Sequence, residues 1–87
     1  MLIMLSACSG APVQEMSDAR QAIRAAQAAG AAEKAPAELS QAQALIDEAQ
    51  RRLQRREYKQ AEANAVQARE EAVRALEAAR AASNNVP

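Results

Sequence analysis

Alanine at alternating intervals of three and four residues is the feature that most constrains how this chain can fold. Between residues 58 and 82 these positions form one stripe, made up of Tyr58, Ala61, Ala65, Ala68, Ala72, Ala75, Ala79 and Ala82. This spacing places the whole stripe on one face of an α-helix. Because alanine is small, a second helix can approach that face closely, toward the short end of the usual range of about 8–10 Å between axes. The stripe therefore predicts a helix that packs tightly against a neighbour.

Two earlier segments carry stripes of the same spacing with larger apolar side chains. The first begins near Pro12, a residue favoured in the first turn of a helix, and its stripe is Met16, Ala19, Ile23, Ala26 and Gly30. The second opens at Pro36, and its stripe is Leu39, Ala42, Ile46, Ala49 and Leu53. Helix-forming residues dominate all three segments, and the alternating apolar pattern of a strand does not occur. The sequence therefore predicts an all-α fold.

Residues 36–82 can form either one continuous helix or a hairpin of two helices. No Gly or Pro interrupts residues 37–86, so local propensity permits a single helix about 70 Å long at 1.5 Å per residue. Two observations favour the hairpin. The large side chains of the second stripe complement the alanines of the third, and the register of the stripe breaks between Leu53 and Tyr58. We predict a reversal near Arg56–Tyr58, which gives three helices: a short N-terminal helix followed by an antiparallel helical hairpin.

Composition excludes several classes of function. The chain has no His, two Gly and one Cys, which excludes zinc sites built from Cys and His, histidine acid–base catalysis and glycine-rich phosphate loops. Neighbouring acids such as Asp47 and Glu48, or Glu70 and Glu71, point about 100° apart on a helix. Eleven basic and eleven acidic residues give no net charge, so nucleic acid exerts no general attraction. We expect no enzyme activity, cofactor, metal or small-molecule substrate.

Charged residues alternate in sign along most of the chain, and one basic cluster is the exception: Arg51, Arg52, Arg55, Arg56 and Lys59. Cations are favourable at the C-terminus of a helix, so the cluster is typical of the end of the second helix. It could also contact anionic lipid headgroups or an acidic partner. Elsewhere, acid–base pairs four residues apart are expected to support the helices: Asp47 with Arg51, Glu48 with Arg52, and Glu70 with Arg74.

The one strongly apolar stretch lies at the N-terminus and ends at a cysteine. Leu5-Ser6-Ala7-Cys8 resembles the bacterial lipobox, whose Cys is diacylated on its thiol and acylated again on the new amino terminus after cleavage. Several acyl chains hold a soluble domain stably on a membrane. We therefore predict that Cys8 is the lipidation site. No Lys or Arg precedes this short run, which indicates that residues 1–8 are a truncated signal segment and that the true start lies upstream of Met1. If Met1 is the true start, export would be inefficient and the prediction of lipidation is weaker.

A family resemblance spans about residues 13–80. Ala35-Pro36-Ala37-Glu38-Leu39, with Ser17-Asp18-Ala19-Arg20 before it and Glu57-Tyr58-Lys59-Gln60-Ala61 after it, resembles the pattern of small alanine-rich bacterial periplasmic lipoproteins, domain-of-unknown-function family 4398. The resemblance implies two antiparallel helices after an earlier helix, an arrangement similar to half of a tetratricopeptide repeat. The family turn carries Gly or Asp before the Tyr, where this chain has Arg56 and Glu57. No chemistry is assigned to the family, so no catalytic residue is implied.

These observations predict a signal segment at 1–8, a flexible tether at 9–12, an alanine-rich helical domain at 13–82 and a disordered tail at 83–87. Ser9 after the cysteine resembles the outer-membrane sorting pattern, which implies the inner leaflet facing the periplasm. We expect a lipid-anchored, non-catalytic structural or interaction module that contacts a protein partner or itself through its helical faces. The alternative is an oligomeric coiled-coil spacer like murein lipoprotein, without its covalent peptidoglycan link because the C-terminus lacks the terminal lysine.

Overall fold

The computed structural model describes residues 10–84, and these residues form four helices and no strand. The helices are α1 (Val13–Ala28), α2 (Ala31–Lys34), α3 (Pro36–Gln54) and α4 (Tyr58–Asn84). The all-α prediction is confirmed, as are the start of a helix at Pro36 and the start of the last helix at Tyr58. Helix α4 continues through Ser83 and Asn84, which were expected in a disordered tail, because no residue that breaks a helix occurs there. Residues 85–87 lie outside the described range.

The helix α2 is a single turn that the sequence patterns do not predict. It starts after Gly30, whose φ of 88° lies in the left-handed region that ends α1. It stops at Ala35, whose φ of −146° and ψ of 56° are not helical. The residue before a proline is driven out of the helical region by the proline ring, so Pro36 separates α2 from α3. The connection thereby turns the chain back on itself between α1 and α3.

Helix α4 is the central element of the bundle, and both α1 and α3 pack against it. Six alanines of its stripe have no exposed surface: Ala61, Ala65, Ala68, Ala72, Ala75 and Ala79. Tyr58 at the start of the stripe is half-buried, and Ala82 at its end is exposed. The predicted packing role of the alanine stripe is therefore confirmed over six of its eight positions.

Large apolar side chains on α1 and α3 face the alanines of α4, as their complementary sizes predict. One cluster joins Ile23, Leu39 and the C-terminal half of α4 at Ala72, Ala75 and Ala79. A second cluster joins Met16 of α1, Ala49 of α3 and Ala65 of α4. Ile46 packs against both clusters. The core is therefore continuous along the bundle, and its close packing depends on the small residues of α4.

The chain reverses between α3 and α4, so the hairpin replaces the continuous helix that propensity alone permits. The N–H of Glu57 donates to the carbonyl of Arg52 at 2.9 Å, and the N–H of Arg56 donates to the carbonyl of Leu53 at 3.0 Å. This pair of bonds is the Schellman motif, which ends a helix with one residue in the left-handed region. Arg56 is that residue, with a φ of 63°. The predicted reversal near Arg56–Tyr58 is confirmed.

Polar contacts between helices are few. Arg20 on α1 donates to the side-chain oxygen of Gln50 on α3 at 2.8 Å. The ammonium of Lys34 donates to the hydroxyl of Ser83, which joins α2 to the end of α4. No buried polar or charged side chain occurs among residues 10–84. Apolar packing against α4 therefore holds the helices together.

The surface ion pairs only partly follow the predicted spacing of four residues. Glu48 pairs with Arg52 at 2.9 Å as predicted, and also with Arg51 at 2.8 Å. The predicted partner of Arg51 was Asp47 instead of Glu48. Arg74 was predicted to pair with Glu70 but pairs with Glu71 at 2.5 Å. Positions three and four residues apart are both neighbours on a helix surface, so the spacing alone does not select between them.

Candidate functional site at the basic end of the bundle

The predicted lipidation residue, Cys8, lies outside the described residues, which begin two positions later at Gly10. Two residues of chain span at most about 7 Å, so an anchor on Cys8, if present, would hold Gly10 close to the membrane. The predicted tether at 9–12 ends in residues that already join the bundle. Pro12 is buried, and its carbonyl accepts a 3.0 Å bond from the N–H of Met16 in the first turn of α1. The anchor position and the folded body are thus separated by very little chain.

The start of α1 and the turn between α3 and α4 lie side by side at one end of the bundle. Helices α1 and α4 run in the same direction, because Met16 near the start of α1 packs with Ala65, and Ile23 packs further along α4. A shallow groove at this end is lined from both parts of the chain, by Gly10, Ala11, Pro12 and Glu15 on one side and by residues 56–60 and Glu62 on the other. We name this region the basic end, defined by residues 10–15 and 51–62.

Positive charge is concentrated at the basic end. Residues 51–59 contain five basic residues and one acidic residue, Glu57, whereas the whole chain has eleven of each sign. The remainder of the chain therefore has an excess of acidic residues. Glu15 and Glu62 line the same groove as Arg56 and Lys59, so the basic end as a whole holds five basic and three acidic residues, an excess of two positive charges.

The five cations of the basic end divide into two groups. Arg51 and Arg52 pair with carboxylates of the protein: both bind Glu48, and Arg52 also binds Glu57 across the turn at 3.2 Å. Arg55, Arg56 and Lys59 are exposed, and no ion pair within residues 10–84 involves them. Arg51 and Arg52 therefore stabilise the end of α3, whereas the other three cationic side chains face solvent.

Hydrogen bonds from Arg51, and then from Arg52, lower the pKa of Glu48 below its ordinary value. The bond to Glu48 in turn raises the pKa of Arg52. Both groups therefore keep their charges at neutral pH. The pKa of Glu48 and the pKa of Arg52 both move away from neutral pH. This cluster therefore acts as an ion-pair network at the last turn of α3.

The two pairs of neighbouring acids differ in their placement. Glu70 and Glu71 line one surface groove beside Arg74, which pairs with Glu71, whereas Asp47 and Glu48 do not converge. Glu48 is occupied by Arg51 and Arg52, while Asp47 lines a separate surface groove between α1 and α3. Within residues 10–84 no group of three or more metal-binding side chains comes together. No helix in the same range has the length and apolar content needed to span a membrane.

The basic cluster is visible in the sequence, but its place beside the start of α1 is not. The signal was present in the order of the helices. Because α3 runs antiparallel to both α1 and α4, the start of α1 and the turn at Arg56 have to share one end. The left-handed conformation of Arg56 was also missed, because its residue type favours no such conformation.

Comparison with known proteins places the chain in a family. No curated protein and no solved structure matches it significantly. The pattern of one family does match, over residues 14–85, which covers all of α1 to α4 except the first residue of α1. That family is described as a domain of unknown function. The resemblance seen in the sequence is thus confirmed, and the chain belongs to the family described as Domain of unknown function (DUF4398).

Proposed function

We propose that this protein is a lipid-anchored, non-catalytic module of the bacterial envelope, attached through acylated Cys8 to the inner leaflet of the outer membrane and facing the periplasm. The observation that carries the proposal is the sequence Leu5-Ser6-Ala7-Cys8, which ends the apolar run two residues before Gly10. A cysteine in that context resembles an acylation site, and several acyl chains anchor a domain firmly. The folded body then starts almost at the membrane surface.

The bundle favours a compact interaction module over the alternative of a coiled-coil spacer. The apolar stripes of α1, α3 and α4 pack against each other within one chain. Among the described residues, the large apolar side chains that are clearly exposed are Val13, at 71%, and Val66, at 40%. A spacer built from several copies needs a long apolar seam between chains. The stripes that would form this seam are already used, so we assign binding of a protein partner, or of a second copy, to the polar helical faces.

The proposal is tested by the membrane association of the protein in a Gram-negative host. The gene is expressed with its native upstream region, and membranes are washed with high salt and then with detergent. We expect the parent protein to resist salt and to be released by detergent, because acyl chains rather than charges hold it. A Cys8→Ser variant is expected in the soluble periplasmic fraction, and a Ser9→Ala variant is the matched control that stays in the membrane. A Cys8→Ser variant that remains as tightly bound as the parent would contradict the anchor.

A further inference from the structure

We propose that the basic end is a membrane-surface binding site, in which Arg55, Arg56 and Lys59 contact the anionic phosphate headgroups of the bilayer. The inference rests on the proposed function for the position of the membrane, whereas the binding itself is measured below without the anchor. Three features carry it: exposed cations outside the ion-pair network of residues 10–84, an arginine in a costly backbone conformation, and the position of both beside Gly10.

The three cations have no structural role that the described part of the protein reveals. Arg51 and Arg52 satisfy the carboxylates of Glu48 and Glu57. Arg55, Arg56 and Lys59 are exposed and make no ion pair within that part of the chain. Glu15 and Glu62 line the same groove, but no ion pair within residues 10–84 joins them to the three cations, so an external anion can bind the cations without first displacing an internal partner.

Arg56 adds an independent observation. It holds the left-handed position of the Schellman turn, with a φ of 63°, where glycine fits without strain and a side chain does not. The turn after α1 places Gly30 at the equivalent position. The two hydrogen bonds of this turn come from the backbone, so they are available to glycine as well and do not explain why an arginine occupies the position. A positive charge at the tip of the hairpin is a function that Gly cannot supply.

Location selects a lipid surface as the occupant. Gly10 lines the same groove as Arg56 and Lys59, and Cys8 precedes Gly10 by two residues. An anchor on Cys8 would therefore hold Gly10, and with it the groove that contains Arg56 and Lys59, near the headgroups, whose attraction for basic residues extends over about one Debye length, about 8 Å at physiological ionic strength. Basic side chains near an anionic surface each strengthen binding, by about fivefold in the binding constant. With the basic end on the membrane, α4 extends away from it over about 40 Å at 1.5 Å per residue.

The test uses the purified full chain carrying Cys8→Ser, so that no acyl chain contributes to binding. Its partition onto phosphatidylcholine vesicles, with and without phosphatidylglycerol, is measured by sedimentation at physiological and at high salt. We expect binding only to the anionic vesicles, and we expect high salt to weaken it. Replacing Arg55, Arg56 and Lys59 together by Gln is expected to lower the binding constant about a hundredfold, at about fivefold for each residue.

The matched control replaces three other exposed cations, Arg24, Arg69 and Arg80, by Gln, which changes the net charge equally. We expect its binding constant to change no more than a few fold. Circular dichroism of each variant establishes that it is folded. If Gln at the left-handed position 56 prevents folding, the double variant Arg55→Gln with Lys59→Gln leaves Arg56 in place, and a loss of about 25-fold is expected on the same basis.

The outcomes separate this inference from the proposed anchor. Equal losses for the basic-end variant and its control would overturn the inference, as would equal binding to neutral and anionic vesicles. Competition by inorganic phosphate at constant ionic strength would show a free-anion site, and binding to polyglutamate without binding to anionic vesicles would show an acidic-polymer site. Either result also overturns it. If Cys8 proves unmodified while the vesicle result holds, the proposed anchor fails and the basic end remains a lipid-binding site.

Discussion

Gly30 and Arg56 occupy equivalent positions in the bundle, each as the left-handed residue that ends a helix, with φ angles of 88° and 63°. The N–H of Gly30 donates to the carbonyl of Gln27 at 3.0 Å, and the N–H of Arg56 donates to the carbonyl of Leu53 at 3.0 Å. A left-handed residue with the same hydrogen bond to the carbonyl three residues earlier is therefore a glycine at one end of the bundle and an arginine at the other. We therefore expect Arg56→Gly to raise the free energy of unfolding and Gly30→Ala to lower it.

Replacing Arg56 by Gly should stabilise the fold. A residue with a Cβ in the left-handed region costs about 1–2 kcal/mol relative to its ordinary conformation, and Gly largely avoids this cost. Because Gly also gains freedom in the unfolded chain, we expect a net increase of about 1 kcal/mol in the free energy of unfolding. That corresponds to a rise of about 4–8 °C in Tm for a domain of this size. Thermal melts followed by circular dichroism measure it, and a lower Tm would contradict the assigned geometry.

Replacing Gly30 by Ala should destabilise the fold for the reciprocal reason. A Cβ at Gly30 would meet the nearest carbon of the Lys34 side chain at 3.5 Å, which is ordinary van der Waals contact. The expected loss, about 1 kcal/mol, therefore comes from the positive φ and not from a clash. Urea titration checks it against Ala29→Gly, which lies beside it but has a helical φ of −82°. A Gly30→Ala variant as stable as the parent would show that Gly30 is not held in the left-handed region.

Ala68 tests whether the alanine stripe of α4 is closely packed. Ala68 has no exposed surface, whereas its neighbour Gln67 is exposed. Overpacking a core typically costs about 1–3 kcal/mol, so Ala68→Leu should lower Tm while Gln67→Leu should change it little. Melts at two protein concentrations establish whether the contact lies within one chain. Identical melting curves for Ala68→Leu and the parent would refute the packed stripe.

Glu48 should make stability depend on pH in the acid range. Hydrogen bonds from Arg51 and then Arg52 lower its pKa in the folded state. Glu48 therefore binds a proton more readily in the unfolded state than in the folded state. The stability that Glu48 contributes is present above its unfolded pKa and is lost as the pH falls through its folded pKa. A Glu48→Gln variant should lose less stability on acidification than the parent does. Denaturant unfolding at a series of pH values, with Glu77→Gln as the control, measures the difference, and parallel curves for Glu48→Gln and the parent would exclude the linkage.

The core of this fold could be predicted from the sequence because a helix stripe identifies its own buried face. The positions of Met16, Leu39 and Ala72 in three stripes with 3-4 spacing were enough to place them in the core. The size difference between the stripes of α3 and α4 favoured the hairpin over a continuous helix. The pattern gives the spacing of the apolar residues, and this spacing predicts the buried positions wherever apolar burial decides the structure.

Features decided by local competition could not be predicted in the same way. Arg74 lies within reach of both Glu70 and Glu71, and the spacing rule does not rank these two partners. The single turn α2 and the left-handed Arg56 arise because the chain has to reverse direction between the helices on either side. This requirement comes from the tertiary structure and not from the local sequence. The basic end followed from the sequence as a cluster of charges. Its position beside Gly10 required the helix directions.

The most direct test of the central claim is the mass of the N-terminal peptide of the mature protein. The gene is expressed with its native upstream region in a Gram-negative host, and the membrane-extracted protein is digested and analysed by mass spectrometry. We expect a mature chain that begins at Cys8, with a diacylglyceryl group on the thiol and a third acyl chain on the amino terminus. A mature peptide that retains Leu5-Ser6-Ala7 ahead of an unmodified Cys8 would contradict it.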